Sequence, residues 1–158
     1  MIVITGNIAS GKTTLARGLQ KLLKGYRLLS IDVYRKRYSD GSDAGEDRAW
    51  DKLMHRVSQG DDCILEMTGV GQYYELCLLR YPGQRIVLKI DASPAQCLRA
   101  ADLRHLSGYR LPPLPYRMDR SKSIKRIGKL LDYVDYDLLI PHRAKPKEVL
   151  EIILPVAG

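Results

Sequence analysis

The chain is 158 residues long, 45% of them apolar and 28% charged, with a formal net charge of +8 at pH 7. That length buries the core of one ordinary domain, and no stretch approaches the roughly 18 consecutive apolar residues of a membrane span. Cys63, Cys77 and Cys97 lie in apolar segments without metal-ligand spacing, and His55, His105 and His142 are scattered, which argues against zinc and for reduced core thiols in a cytoplasmic protein.

Met1 to Thr5 is a β-branched, apolar run that reads as a buried strand, and a chain starting this way is expected to carry no signal peptide. Gly6-Asn7-Ile8-Ala9-Ser10-Gly11-Lys12-Thr13 then matches the phosphate-loop pattern G-x-x-x-x-G-K-[ST] without a gap. Leu15, Leu19, Leu22 and Leu23 recur at helical spacing between Thr14 and Lys24, so the loop has the strand before it and the helix after it that the motif needs. In such a loop the glycines let successive N–H groups turn inward around the phosphates of a nucleoside triphosphate. Lys12 is expected to reach the β- and γ-phosphates, and the Thr13 hydroxyl to bind Mg²⁺. Nucleotide contacts are expected from Gly6 through Thr14.

Tyr26 to Ile31 reads as the second strand, ending at Asp32, and Ser39 to Glu46 as a polar loop. Asp47 to Gln59 carries Trp50, Leu53, Met54 and Val57 on one helical face. Cys63 to Thr68 is a third strand, followed by the turn Gly69-Val70-Gly71 and a helix from Tyr73 to Arg80. Arg85 to Ile90 is a fourth strand, and Ser93-Pro94 opens a helix to about His105. Ser107 to Pro115, with Gly108 and three prolines, cannot be regular; Asp119 to Tyr133 is a basic helix. Tyr136 to Ile140 is a fifth strand and Pro146 to Ile153 a closing helix. Strands alternating with helices predict an α/β three-layer sandwich on a five-stranded parallel sheet, one domain over 1–158, with ligands at the carboxyl ends of the strands.

Charge is unevenly placed. Nine Lys/Arg stand between Arg99 and Lys129 against only Asp102 and Asp119, and they are expected to face the phosphates of ATP, of a polyanionic acceptor, or of both. Helix, proline-rich break and basic helix read as a lid over about 104–120. Arg104 first, and Arg99 second, are its candidates for neutralising charge on a transferred group. Tyr109 and Tyr116 among these cations suit either stacking on bases or packing of the lid. In Asp32-Val33-Tyr34-Arg35, Asp32 is a candidate base for an attacking hydroxyl, and Arg35, a turn later, a bidentate partner for an acceptor phosphate. The same pair also reads as an N-cap acid followed by a surface arginine. His142-Arg143-Ala144-Lys145-Pro146 suits a loop around an adenine, with Arg143 and Lys145 as nucleotide contacts, as well as it suits an ordinary turn into a helix.

Without an Asn-Lys-x-Asp base-recognition element, and too short for the extra strands of large ATPases, the chain reads as a small kinase. It resembles the small P-loop kinases of the adenylate-kinase-like group, and among them most the polynucleotide 5′-hydroxyl kinases. The likeness rests on Gly6 to Thr13, the Asp32-x-x-Arg35 pair, and the lid arginines with the proline-rich segment after them. It implies a P-loop nucleotide kinase fold whose second strand lies beside the phosphate-loop strand, and ATP with Mg²⁺ as cofactors. It further implies Asp32 as general base, Arg35 on the phosphate next to the acceptor hydroxyl, and Arg104 on the donor phosphates. DNA or RNA is the implied acceptor, through a 5′-hydroxyl or a hydroxymethyl-pyrimidine within DNA. The third strand departs from the pattern: it ends in Glu66-Met67-Thr68-Gly69 rather than an Asp-x-Thr-Asn-like sequence, so Glu66 or Thr68 is expected at that position. A nucleotide or small-metabolite kinase of the shikimate or gluconate type, and a nucleotide-gated binding module, remain as alternatives.

Overall fold

A computed structural model describes residues 1–155. In chain order the elements are β1 (Ile2–Thr5), α1 (Lys12–Leu22), β2 (Arg27–Ser30), α2 (Ile31–Tyr38), α3 (Asp43–Ser58), β3 (Cys63–Glu66), α4 (Gln72–Arg80), β4 (Ile86–Asp91), α5 (Pro94–Leu106), α6 (Arg120–Leu131), β5 (Leu138–Pro141) and α7 (Pro146–Ile153). The strands form one parallel sheet in the order β2-β3-β1-β4-β5. This is the P-loop nucleotide kinase-like α/β arrangement.

The sheet corrects one expectation. β2 does not lie beside β1, because β3 pairs with both and separates them. The register sets Ser30, Glu66 and Ile4 in one row, so the carboxyl ends of β2, β3 and β1 still finish level. Asp32 therefore reaches the phosphate-loop end of the sheet from two strands away.

Helices cover both faces, which is why β1 and β3 read as unbroken apolar runs. Val3, Leu29, Leu65 and Val87 pack with Trp50, Leu53 and Val57 of α3 and with Tyr74 and Cys77 of α4. On the opposite face Ile4, Ile64, Leu88 and Ile140 pack with Leu15 and Leu19 of α1 and with Val149 and Ile153 of α7. Cys63, Cys77 and Cys97 are buried free thiols, and burial pushes Cys63 and Cys77 up to about 11.

Two of the boundaries that differ from the sequence reading shape the site. The second strand stops at Ser30, which becomes the N-cap of α2, so Asp32 sits in a helical first turn instead of on a strand end. α3 starts at Asp43 instead of Asp47, because the Ser42 hydroxyl accepts the Gly45 N–H at 3.0 Å. A side chain at Gly45 would collide with Asp40, so this early turn needs glycine. Glu46 is thereby placed in the first turn of α3.

Candidate active site

A cavity of about 470 Å³ opens at the carboxyl ends of β1, β2 and β3, and its lining includes Lys12, Thr13, Asp32, Arg35, Glu66 and Arg104. One side of it is the loop between β1 and α1. Gly6 has φ +150, and a Cβ there would stand 2.9 Å from Ser10 Oγ and 3.2 Å from Ile90 Cβ, so the loop closes on itself only through glycine. Gly11 caps α1 at φ 99 with no side-chain hydrogen bond, which leaves the first N–H groups of the helix for a ligand. Ala9 adopts φ 59, left-handed for a residue with a side chain, and strain of this kind gathers at ligand-holding turns.

Three side chains tie the loop down. Asn7 accepts the Ile8 N–H at 2.8 Å and donates to the carbonyl of Ile124 in α6, also at 2.8 Å. Lys12 is buried, with its ammonium donating to the Asn7 carbonyl at 2.6 Å. Burial lowers that ammonium below its usual range, while the carboxylates of Glu66 and Asp32 pull it back up. The Thr13 hydroxyl donates to Glu66 Oε1 at 2.8 Å. Among the described residues two buried polar side-chain atoms have no partner, Ser10 Oγ and Glu66 Oε2, and both belong to this corner. A hydroxyl and a buried carboxylate together suit a hard divalent cation such as Mg²⁺. The glycine-shaped loop with its lysine suits phosphate oxygens.

The facing wall is assembled from α2, α3 and α4. Arg35 donates through Nη1 to Asp32 Oδ1 at 3.2 Å, one turn back along α2. Through Nε it also holds both oxygens of Glu46 in α3, at 3.1 and 2.9 Å. The indole N–H of Trp50, a turn beyond Glu46, donates to the same carboxylate at 2.8 Å. The Trp50 ring stacks on Tyr73 of α4 with centroids 4.4 Å apart and planes 6° from parallel. Burial pushes the Glu46 carboxyl up, but the hydrogen bonds and charge of Arg35 win and hold it below its ordinary range. Burial opposes the Arg35 charge, and Glu46 more than restores it. Sequence reasoning missed Glu46, Trp50 as a polar partner, and Glu66 as the partner of Thr13. The only signal for the first two was their spacing of four, one helical turn, hidden while Glu46 was read as loop.

The segment between α5 and α6 crosses the opening. Tyr109 lies between two cations, with Lys36 Nζ 5.7 Å and Arg104 Cζ 5.6 Å from its ring centre. Leu111, Pro112, Leu114, Tyr116 and Met118 also line the cavity. Of the nine cations between 99 and 129, Arg104 lines this cavity and Arg120 borders a void of about 30 Å³ beside it. The remaining seven, Arg99 among them, are exposed. Arg143 and Lys145 are exposed on the loop after β5, outside the cavity lining, and Lys145 pairs with Glu148 at 3.6 Å. Asp32 caps no helix, and its half-exposed carboxylate faces the cavity along with Lys12 and Thr13.

No family model matches the sequence, and no curated protein does. Solved structures do match in shape. A shikimate kinase from Acinetobacter baumannii in complex with shikimate is 17% identical, with a TM-score of 0.70, covering 98% of this chain and 93% of its own. A gluconokinase from Sinorhizobium meliloti is 14% identical, with a TM-score of 0.62, covering 98% and 89%. A chain of the Pnkp1/Rnl/Hen1 RNA repair complex is 16% identical, with a TM-score of 0.70, covering 86% of this chain but 46% of its own. At such identities the likeness shows the fold: that of the small P-loop kinases of the shikimate and gluconate kinase group, with the RNA repair protein as one neighbour among several.

Proposed function

We propose that the chain is an ATP-dependent phosphotransferase that moves the γ-phosphoryl group of ATP to a hydroxyl of a small acceptor. The observation that carries this reading is the single cavity, about 470 Å³, that Lys12, Thr13 and Glu66 share with Asp32 and Arg35. That size accommodates a small ligand beside a phosphate tail. Residues Gly6 to Thr14 would cradle the triphosphate, with Lys12 and Arg104 countering the charge of the transferred group. Thr13 and Glu66 would hold Mg²⁺, which when bound neutralises phosphate charge. Asp32 orients the acceptor hydroxyl and takes its proton as the acceptor oxygen bonds to the γ-phosphorus. The bond to the β–γ bridging oxygen breaks in line, and ADP departs. Segment 104–120 acts as the lid, excluding water while Tyr109 bridges Lys36 and Arg104.

A second reading, transfer to a hydroxyl of DNA or RNA, draws on one observation. Lys122, Lys125, Arg126 and Lys129 are all exposed on α6, and the acids flanking them are its two caps, Asp119 and Asp132. The segment between α5 and α6, whose Tyr109, Leu111, Pro112, Leu114 and Tyr116 line the cavity, favours the small acceptor, because a polymer needs an open path for its flanking nucleotides. A transfer assay with γ-labelled ATP distinguishes the two, comparing small alcohols and nucleosides with 5′-hydroxyl DNA, 5′-hydroxyl RNA and hydroxymethylated duplex. Label on a small alcohol or nucleoside is expected; label on the polymers alone would overturn the small-acceptor reading.

A further inference from the structure

We propose that the acceptor is an uncharged alcohol on an apolar or aromatic body, and that Glu46 sets this selectivity. The inference rests on the phosphotransferase reading above and names the substrate class for the same cavity. The cations lining the cavity are Lys12, Arg35 and Arg104. Lys12 belongs to the phosphate loop and Arg104 to α5, so Arg35 is the one cation of α2, α3 and α4 that lines the cavity, Lys36 lying behind the Tyr109 ring.

That cation is already spent. Glu46 grips its Nε and Nη2, Asp32 takes Nη1, and the Trp50 indole fixes Glu46 in place. One guanidinium between two carboxylates leaves the wall negative. A carboxylate or phosphate on the acceptor would meet net repulsion there, whereas a hydroxyl or carbonyl can still accept one of the remaining guanidinium N–H bonds. Around this network the lining is mostly apolar or aromatic, with Ile31, Trp50, Val70, Tyr73, Leu111 and Leu114, and its other polar side chains, Ser30, Thr68 and Gln72, are neutral. Such walls reward an apolar body and supply no counter-charge to an anion. Arg35 thereby departs from the acceptor-phosphate role that the resemblance implied.

Trp50 is the sole tryptophan and stands in this wall, so its emission reports on ligands there. Protein saturated with a β,γ-imido analogue of ATP and Mg²⁺ is titrated with matched pairs: benzyl alcohol against 4-(hydroxymethyl)benzoate, and thymidine against thymidine 5′-monophosphate. The neutral member is expected to bind at least tenfold more tightly than its anionic partner. Glu46→Gln keeps the size and the indole contact while freeing the Arg35 charge, and is expected to tighten the anionic members at least tenfold. Should that variant melt early, Asp32→Asn removes the other carboxylate and is read the same way. Anionic members binding as well as neutral ones in the wild type, a ratio unmoved by the substitution, or no response of Trp50 to any member would each overturn the proposal. Failure of the ATP analogue to bind would instead remove the phosphotransferase reading, and the pair preference would still be measured on nucleotide-free protein.

Discussion

At the proposed phosphate end of the cavity, recognition would come from main-chain N–H groups in one short loop, backed by a single buried lysine. At the proposed acceptor end it would come from side chains on α2, α3 and α4, interlocked through Arg35, Glu46 and Trp50. The first device would match, through main-chain groups, the geometry common to all polyphosphates. The second has its shape and charge set residue by residue, so it can differ between chains that share a fold and a loop. On the proposed function, binding of the nucleotide and choice of acceptor would therefore be separable, and substitutions at the two ends should fail in different ways.

The largest effect is expected from Lys12→Ala, which removes the buried cation of the loop. Transfer should fall by about 10³- to 10⁵-fold, the range seen when a cation on the transferred phosphoryl group is lost. Nucleotide affinity, read by calorimetry, should fall with it. Asp32→Ala should cost about 10²- to 10⁴-fold in transfer, as for a general base, while nucleotide affinity stays at the wild-type value. An active Asp32→Ala enzyme would remove the base assignment, and loss of nucleotide binding in that variant would merge the two ends of the cavity. Glu66→Gln ranks below these. It retains a partner for the Thr13 hydroxyl but removes the buried charge, so the Mg²⁺ concentration for half-maximal transfer should rise by about 10- to 100-fold. An unchanged Mg²⁺ requirement would leave Glu66 as a partner of Thr13 only.

The same contrast explains what the sequence made legible. The phosphate loop is eight contiguous residues between a strand and a helix, so chain order alone brings its parts together. β1 and β3 were plain because burial on both faces demands unbroken apolar runs. Strand order was not, since local preference carries no record of which strand inserts between two others, and β3 separates β2 from β1. The significance of Glu66 depended on that insertion, which brings its carboxylate to Thr13. Ile31-Asp32-Val33 has the branched residues of a strand, yet Ser30 caps a helix there and turns Asp32 into the cavity. Glu46 was concealed because Gly41 and Gly45 read as loop, although Gly45 is what lets α3 begin early against Asp40.

The smallest expected effect concerns the exposed cations, which belong to neither end. Ile124 and Leu131 hold α6 in place from its buried side, and Ser123 and Ile127 face the cavity. Lys122, Lys125, Arg126 and Lys129 point outward, so replacing all four by alanine leaves both recognition devices intact. With a small acceptor, kcat/KM should stay within about twofold of wild type, as for surface changes away from a site. A polymer acceptor would behave otherwise, because each lost phosphate contact flattens the dependence of log affinity on log salt by about 0.9 for duplex DNA. A tenfold loss of transfer accompanied by a flatter salt dependence would make α6 a third recognition surface and would move the acceptor from small alcohols to nucleic acid.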